Sequence, residues 1–324
     1  MGWILGLGNG VVFRTGSSTA GSSYWSPQTA VVQQAAPADV VLTYAKAVNP
    51  ADAITTNFTI AGKTISSATL DATGKILTLV VTVAFVYGDS ITVVANSQNI
   101  VVTNNITHPL VINDGNTVTW YDATDLTTIT KDGANRVSAW ADKLGSGNNL
   151  VQANGANQPL WSAGQITGDG VDEFIKGGFN WSHPSTLYLV FAQRSYEALN
   201  TIADGAVTNR LRISQNGTSY GVRIRVSGGD VPETQTQFNE NTWAVETAMV
   251  APNNQKLKRN TDASNDGEVA TALNPGGLTL FAIGAADTRY CNVSIAEVIC
   301  RSGNDSDADR DDIIDYLMDK YGIV

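Results

Sequence analysis

The segment SIAEVICRSGNDSDADRDDIIDYLMDKYGIV, residues 294–324, joins a strand-like apolar run to a helix start. Ser306 stands three residues before Asp309, the spacing of a capping box, in which the hydroxyl and the carboxylate each satisfy an amide of the first turn. Gly322, preceded by Lys320, is the matching stop signal. Acidic residues crowd the first turn, where the helix dipole favours them, and apolar residues recur on one face: Asp307, Asp309, Asp311 and Asp312, then Ile313, Ile314, Leu317 and Met318. A β-rich chain that closes on one helix is predicted.

A calcium site is the alternative interpretation of this segment. Asp305, Asp307 and Asp309 alternate as in the first half of an EF-hand loop, but the glycine of the sixth position and the glutamate of the twelfth are missing. The helix cap is therefore favoured, and no cofactor or metal is expected apart from this calcium alternative.

Composition indicates an all-β protein of about two domains. The chain has 324 residues, 43% of them apolar, only 15% charged, and 30 glycines. A net charge of −10 argues against a nucleic-acid partner, because phosphate backbones call for clustered Lys and Arg. The one basic cluster is Lys256, Lys258 and Arg259, which we interpret as a solvated turn.

The second half of the chain carries the most specific motifs. They are VTWYDATDLTTITKDGANRVSAWADKLGSGNNLVQANGANQPLW at 118–161 and GDGVDEFIKGG at 168–178. With the closing segment, they resemble the laminin-G-like, concanavalin-A-like domains of bacterial and phage surface proteins. The matching residues are Trp140, Asp142, Lys143, Gly145, Gly147, Asn148, Asn149, Gln158, Pro159, Trp161, Asp169, Gly170, Val171 and Asp172. Gly168 stands where that family has an aromatic residue, so packing there is in doubt. The resemblance implies a jelly-roll β-sandwich over 117–324.

Residues 36–107 show a separate pattern of six or seven short strands with turn residues between them. VVLTYAKAV, TNFTIAGK and LTLVVTVAFVYGDSITV resemble bacterial immunoglobulin-like repeats, and that resemblance implies a spacer domain. Residues 108–116, with Pro109 and Gly115, are the predicted linker between the two domains.

Two further features bear on where the protein acts. Cys291 and Cys300 lie in one strand-like run and would be about 30 Å apart, too far to pair. Free thiols suit synthesis in a bacterial host cytoplasm.

The N-terminal segment MGWILGLGNGVVFRTGSS lacks the marks of a signal peptide and is too short and glycine-broken to cross a membrane. We predict that 1–35 is an anchoring arm and linker, with packing against its own domain as the alternative. The segment is similar to N-termini of tailed-phage virion proteins. Its anchoring residues would be Trp3, Ile4, Leu5, Leu7, Val11, Val12 and Phe13.

Catalytic patterns are weak. Retaining glycosidases need two carboxylates about 5 Å apart, and the nearest candidates, Asp172 with Glu173 and Asp266 with Glu268, are interpreted as turn residues. His108 and His183 have no nucleophile motif beside them, and zinc and nucleotide motifs are missing. The sequence therefore predicts that the chain is not an enzyme.

Several polar and aromatic residues could bind a sugar at a rim of the sandwich, and each could equally well pack against its neighbours instead. They are Asn180, Trp181, His183, Tyr196 and Tyr220, so the carbohydrate-binding residues stay unassigned.

The sequence as a whole predicts a structural virion appendage: a head fibre, capsid decoration or tail-associated protein. It would be homo-oligomeric, bound to other virion proteins through its arm, and would contact a cell-surface glycan. A bacterial surface adhesin and a carbohydrate-active enzyme are the alternatives.

Overall fold

The computed structural model describes residues 26–207, 211–215, 221–226, 229–233, 239–268, 273–284 and 288–324. Strands make up 46% and helices 11% of the chain, and the one α-helix of the described residues is C-terminal, so the predicted all-β class is confirmed. Two compact units divide between Leu110 and Val111. The predicted anchoring residues Trp3 to Phe13 lie outside the described residues. None of the described helices is both long and apolar enough to cross a membrane.

The first unit is a seven-stranded β-sandwich-like arrangement, hydrogen-bonded in the order β3-β6-β7-β1-β2-β5-β4. Alternate residues of these strands, such as Val40 and Leu42, are fully buried in one core. The strands are β1 (Thr29–Gln33), β2 (Ala36–Thr43), β3 (Phe58–Ile60), β4 (Ile65–Leu70), β5 (Ile76–Val81), β6 (Ile91–Ala95) and β7 (Gln98–Asn105).

Strand β1 corrects the predicted extent of the arm and linker, 1–35. Val32 of this strand is fully buried, and β1 pairs with both β2 and β7. The strand was missed because its short apolar run follows a Gly/Ser/Thr tract that is typical of linkers. The first described strand of this unit therefore begins at Thr29, inside the range predicted as arm and linker.

The second unit has two sheets. One sheet has nine strands, in the order β19-β18-β17-β16-β23-β14-β11-β10-β9. The other sheet has seven strands in the order β12-β13-β24-β15-β20-β21-β22, and β8 joins it by pairing with β24. The strands are β8 (Thr117–Asp122), β9 (Ile129–Lys131), β10 (Val137–Trp140), β11 (Leu150–Val151), β12 (Leu160–Ser162), β13 (Gln165–Asp169), β14 (Ile175–Gly178), β15 (Ser185–Gln193), β16 (Thr201–Gly205), β17 (Arg212–Gln215), β18 (Val222–Val226), β19 (Gly229–Glu233), β20 (Trp243–Ala251), β21 (Asn254–Arg259), β22 (Asn265–Gly267), β23 (Gly277–Leu280) and β24 (Asn292–Ser302). Short 3-10 helices cover Pro50–Asp52, Thr55–Asn57, Leu110–Asn113, Leu126–Thr128 and Gly155–Asn157.

The core of the second unit lies between its two sheets. Leu187, Leu189 and Phe191 of β15 face it, together with Ile213 and Ile224 of the nine-stranded sheet. All residues of β15 are buried, so both faces of this strand are covered. Helix α1 (Asp307–Tyr321) contacts the neighbouring strand β20.

The helix begins and ends as the sequence predicts. The Asp309 amide donates to Ser306 Oγ at 3.1 Å, and the Ser306 amide donates to Asp309 Oδ2 at 3.3 Å. Gly322 ends the helix in the left-handed region, at φ 62°. The predicted capping box is confirmed.

The motif around Trp140 builds the fold. Buried Asp142 accepts from the Trp120 amide at 2.7 Å and from the Ser146 amide at 2.9 Å, and its own amide donates to Asn149 Oδ1 at 3.0 Å. These bonds tie the glycine-containing turn after β10 to β8. The residues that carry the family resemblance here are structural.

The buried side chains of Cys291 and Cys300 are both free, as predicted. Cys291 directly precedes β24, and Cys300 lies near its far end, so an extended strand separates the thiols.

Candidate functional site

The outer face of the nine-stranded sheet is polar where three of its strands meet. Ile213 and Ile224 point into the core, so Arg212, on β17, and Arg223 and Arg225, on β18, project from the opposite face. The sequence reads RLRIS and VRIRV at these strands, which is also the pattern of an ordinary solvated face.

Strand register places these side chains side by side. Arg212 lies opposite Arg225 on one side and opposite Asp204 of β16 on the other. Asp204 is in turn opposite Thr279 of β23. We call Arg212, Arg223, Arg225 and Asp204 the arginine face; on β19, Asp230 is the residue in register with Arg225.

Arg212 is the most unusual member of the arginine face. It is only 2% exposed, and within the described part of the chain its Nε and Nη2 have no hydrogen-bond partner. Burial, followed by the charge of Arg225, lowers the pKa of Arg212 to about 10, while Asp204 opposes the shift. The guanidinium is still a cation at neutral pH.

Asp204 directs its carboxylate to backbone amides. Its Oδ1 accepts from the Gly205 amide at 2.8 Å and its Oδ2 from the Gly284 amide at 3.3 Å. Thr279 Oγ1 is also buried with no partner among the described residues. The unsatisfied Arg212 and Thr279 atoms are enclosed, whereas Arg223 and Arg225 are half-buried, so the latter two are the members of the arginine face that a ligand can reach.

A second polar cluster joins α1 to the seven-strand sheet and β8. Asp122 of β8 and Glu297 of β24 are cross-strand neighbours, almost wholly buried, and Lys320 Nζ lies 2.8 Å from Asp122 Oδ2 and 2.6 Å from Glu297 Oε2. Trp120 Nε1 and the Tyr321 hydroxyl each donate to Glu297 at 2.7 Å. Against the effect of burial, Lys320 and Lys143 lower the pKa of Asp122 to about 2.

This pair of carboxylates is one that the sequence did not reveal. Glu297 in the middle of the apolar run SIAEVIC was the available signal, since a buried glutamate needs a partner. Lys320 lies between the two carboxylates, and Lys143 Nζ, 2.8 Å from Asp122 Oδ2, supplies a second positive charge, so the cluster holds the last turn of α1 to the sheet.

The loop between β13 and β14 holds another shifted carboxyl. Burial and the charge of Asp169 raise the pKa of Glu173 to about 7. Glu173 Oε2 accepts from the Asp169 amide at 3.0 Å, and its Oε1 lies 3.8 Å from Arg136 Nη1. Glu173 lies in the loop between two strands, and its side chain is buried instead of being at the surface.

The predicted sugar contacts are dispersed. Trp181 is buried, stacks on Phe179 and donates from Nε1 to the Arg301 carbonyl at 3.1 Å, which is a packing role. His183 Nδ1 is 2.7 Å from Ser185 Oγ, and Asn180 is exposed. Tyr220 lies outside the described residues.

Among the described residues of this set, Tyr196 belongs to a loop that is hydrogen-bonded to β17. In that loop the Ser195 carbonyl accepts from Gln215 Nε2 at 2.8 Å, and the Glu197 amide donates to Gln215 Oε1 at 2.7 Å. Gln215 is the last residue of β17, the strand that carries Arg212.

The three aspartates of the calcium alternative have separate partners. Asp305 accepts from Arg301 Nε at 3.0 Å and from the Tyr188 hydroxyl at 2.7 Å, Asp309 completes the capping box, and Asp307 pairs with Arg310. In the described residues, no group of three or more His, Cys, Asp or Glu side chains is arranged to hold a metal ion.

Two residues of the predicted basic cluster have acidic partners. Lys258 of the basic cluster forms an ion pair with Asp311 at 2.6 Å, and Arg259 pairs with buried Glu246 at 2.9 Å. The solvated-turn interpretation is therefore wrong for these two residues: they lie on β21, where one faces α1 and the other is buried.

No protein-family model and no curated protein matches this sequence. Among solved structures, the chain is similar to Trypanosoma rangeli sialidase, with 9% identity and a TM-score of 0.48 over 78% of this chain and 42% of that one. A mutant of that sialidase displaying trans-sialidase activity gives 10% identity and a TM-score of 0.47 over 63% of this chain and 33% of that one. An arabinofuranosidase complexed with arabinofuranosyl-alpha-1,2-xylobiose gives 11% identity and a TM-score of 0.44 over 56% of this chain and 50% of that one.

These comparisons correct one expectation. The prediction that the chain is not an enzyme is contradicted, because the similar solved structures are glycoside hydrolases. The chain spans about a third to a half of the length of these structures. At TM-scores below 0.5 they transfer no residue role to this chain, so its own side chains must carry any functional assignment.

Proposed function

We propose that this chain is a glycan-binding appendage of a tailed-phage virion, with the arginine face as its glycan contact. The N-terminal arm would anchor it, the first unit would act as an immunoglobulin-like spacer, and the second unit would be a displayed laminin-G-like, concanavalin-A-like jelly roll. The phage assignment and these two fold families rest on the sequence motifs described above.

The observation that carries the binding role is the clustering of Arg212, Arg223 and Arg225 on the outer face of the nine-stranded sheet. Arg223 and Arg225 are half-buried, so part of each side chain is open to a ligand. Guanidinium groups donate hydrogen bonds to sugar oxygens, and many copies on one particle would turn weak contacts into avidity.

The test compares the full-length chain with a chain lacking residues 1–25, which leaves β1 intact. Each is sized by light scattering, pelleted with purified virions and incubated with a panel of neutral and acidic glycans. The same incubations are assayed for released sugar, which separates binding from hydrolysis.

We expect both chains to bind glycan and only the full-length chain to oligomerise or pellet with virions. Equal pelleting, or none from either chain, would refute the anchoring role of the arm. Failure of both chains to bind any glycan would refute the adhesion role.

A further inference from the structure

We propose that a cavity beside the first turn of α1 binds a neutral, hydroxyl-rich sugar residue. The cavity has a volume of about 300 Å³, at the lower end of the range of about 300–1,000 Å³ that is typical of small-molecule sites. Its lining comes from β20, β21, the turn between β21 and β22, and α1. The arginine face belongs to the other sheet of the second unit, so this cavity is a separate site and goes beyond the function proposed above.

Two strands provide the floor of the cavity. Thr247 and Met249 of β20 lie opposite Lys258 and Lys256 of β21. Leu257, between the two lysines, belongs to the core, so the lysines and the residues opposite them project from the outer face of the sheet. Thr247 is 2% exposed, and its enclosed Oγ1 has no hydrogen-bond partner among the described residues. The two lysines are half-buried, so they are the floor residues that a ligand can reach.

The first turn of α1 is one wall of the cavity. Exposed Asp307 pairs with Arg310, whose Nη1 also donates to the Asp305 carbonyl at 2.7 Å. Exposed Asp311 pairs with Lys258 of the floor at 2.6 Å. Each ion pair presents donors and acceptors together, because a carboxylate keeps lone pairs and the cationic groups carry several N–H donors.

The turn between β21 and β22 is a second wall. Thr261, Asp262 and Ser264 line the cavity from this turn, and all three are exposed. Ser264 Oγ donates to Asp266 Oδ1 at 3.0 Å, so its lone pairs are available as acceptors. This wall therefore offers hydroxyls as well as a carboxylate to a ligand.

The ionised groups that line the cavity balance in number. A small anion would meet three carboxylates, and a small cation would meet three cationic side chains. A neutral ligand with several hydroxyls can instead accept from the cations and donate to the carboxylates at once. A pyranose carries such hydroxyls around its ring, which makes a neutral sugar the ligand class that fits best. The six side chains are Lys256, Lys258, Arg310, Asp262, Asp307 and Asp311.

The experiment follows the methionine methyl groups of the full-length chain. The chain has three methionines, of which Met249 lines the cavity and Met318 lies near the end of α1, outside the cavity lining. The protein, labelled with 13C-methyl methionine, is titrated with methyl glucoside, methyl galactoside, methyl mannoside, phosphate and tetramethylammonium. The Met249 resonance is identified by its loss in Met249→Leu, a volume-conserving change.

We expect at least one neutral sugar to shift the Met249 resonance to saturation and to leave the Met318 resonance in place. Lys256→Leu tests the floor, because Lys256 lines the cavity and forms no ion pair with another described residue. The variant keeps an aliphatic side chain but removes the donors, and it should weaken sugar binding about tenfold, the loss of one hydrogen bond to a charged group. Lys46→Leu, at an exposed position of the first unit, is the matched control and should leave binding unchanged.

Thr261→Ala keeps the test available if Lys256→Leu does not fold. Circular dichroism checks the folding of each variant. Thr261→Ala removes an exposed hydroxyl from the second wall and should weaken sugar binding about threefold, the loss of one neutral hydrogen bond.

Three results would overturn the inference. Binding of phosphate or tetramethylammonium that is as tight as that of the sugars would mean an ion site. Sugar binding that neither Lys256→Leu nor Thr261→Ala weakens would mean contacts outside this cavity. The absence of a Met249 shift with every sugar would refute the cavity as a sugar site, and the proposed function would stay intact if the chain still binds glycans of the wider panel.

Discussion

At the scale of single residues, Gly168 and Phe281 explain how the second unit does without an aromatic residue at position 168, where the laminin-G-like domains that its motifs resemble have one. A Cβ on Gly168 would lie 2.8 Å from Phe281 Cδ1, and Phe281 is fully buried. The ring therefore occupies the space above the glycine. The doubt that the sequence raised about packing at this position is resolved by a residue more than a hundred positions away.

We predict that Gly168→Ala lowers the free energy of unfolding of the second unit by about 1–3 kcal/mol, because the ring must move to admit the methyl group. Urea denaturation followed by intrinsic fluorescence measures the change. Gly133→Ala is the control, since no atom lies within 4 Å of its added Cβ. Equal effects of the two substitutions would contradict the packing explanation.

Glu173 makes a pH-dependent contribution to stability. A glutamate in an unfolded chain titrates near 4.5, whereas burial and Asp169 raise the pKa of Glu173 to about 7 in the folded state. Between these values the folded state binds more protons, so the contribution is full below pH 4.5 and is lost as pH rises through 7. Wild type should therefore lose more stability than Glu173→Gln over this range.

The measurement is the urea midpoint of both proteins at several pH values, with Asp266→Asn, at an exposed position of β22, as the control. Parallel pH profiles for wild type and Glu173→Gln would disprove the assignment.

Arg212 shows why single site residues could not be identified from the sequence. Arginine alternating with isoleucine in RLRIS predicts a strand with one solvated face, and that prediction is correct for the backbone. Strand register sets Arg225 and Asp204 beside Arg212, and it depends on pairing between different segments of the chain.

At the scale of elements, the last turn of α1 depends on Lys320. We predict that Lys320→Met costs about 3–5 kcal/mol, because it leaves Asp122 and Glu297 buried without their shared cation. Thermal unfolding measures the loss, and hydrogen exchange should show earlier opening of the final helical turn. Asp315→Asn, on the exposed side of the same helix, should have little effect. Comparable losses of stability in both variants would rule out Lys320 as the residue that holds the last turn of α1 to the sheet.

Elements were predictable where their signals are local. The capping box of α1 and its stop at Gly322 each involve residues within one or two turns of each other, and strands such as β15 and β24 are long apolar runs. Strand β1 was missed because its five residues form a strand by pairing with β2 and β7, which come later in the chain.

At the scale of the whole molecule, each unit has a hydrophobic core of its own. We therefore predict two calorimetric transitions. Val93→Ala, at a fully buried position of the first core, should lower the temperature of one transition only, and Ile213→Val, in the second core, should lower the other. One shared transition that moves with either variant would show that the units unfold together.

The pairing of β8 with β24 has a consequence for synthesis. The strand that opens the second unit meets its partner only when residues up to 302 have been made, whereas all strands of the first unit precede residue 106. The first unit can fold while the ribosome is still translating the second. Until β24 leaves the ribosome, the edges of β8, β13 and β15 that it will cover stay open, so premature termination before β24 should yield an aggregation-prone product.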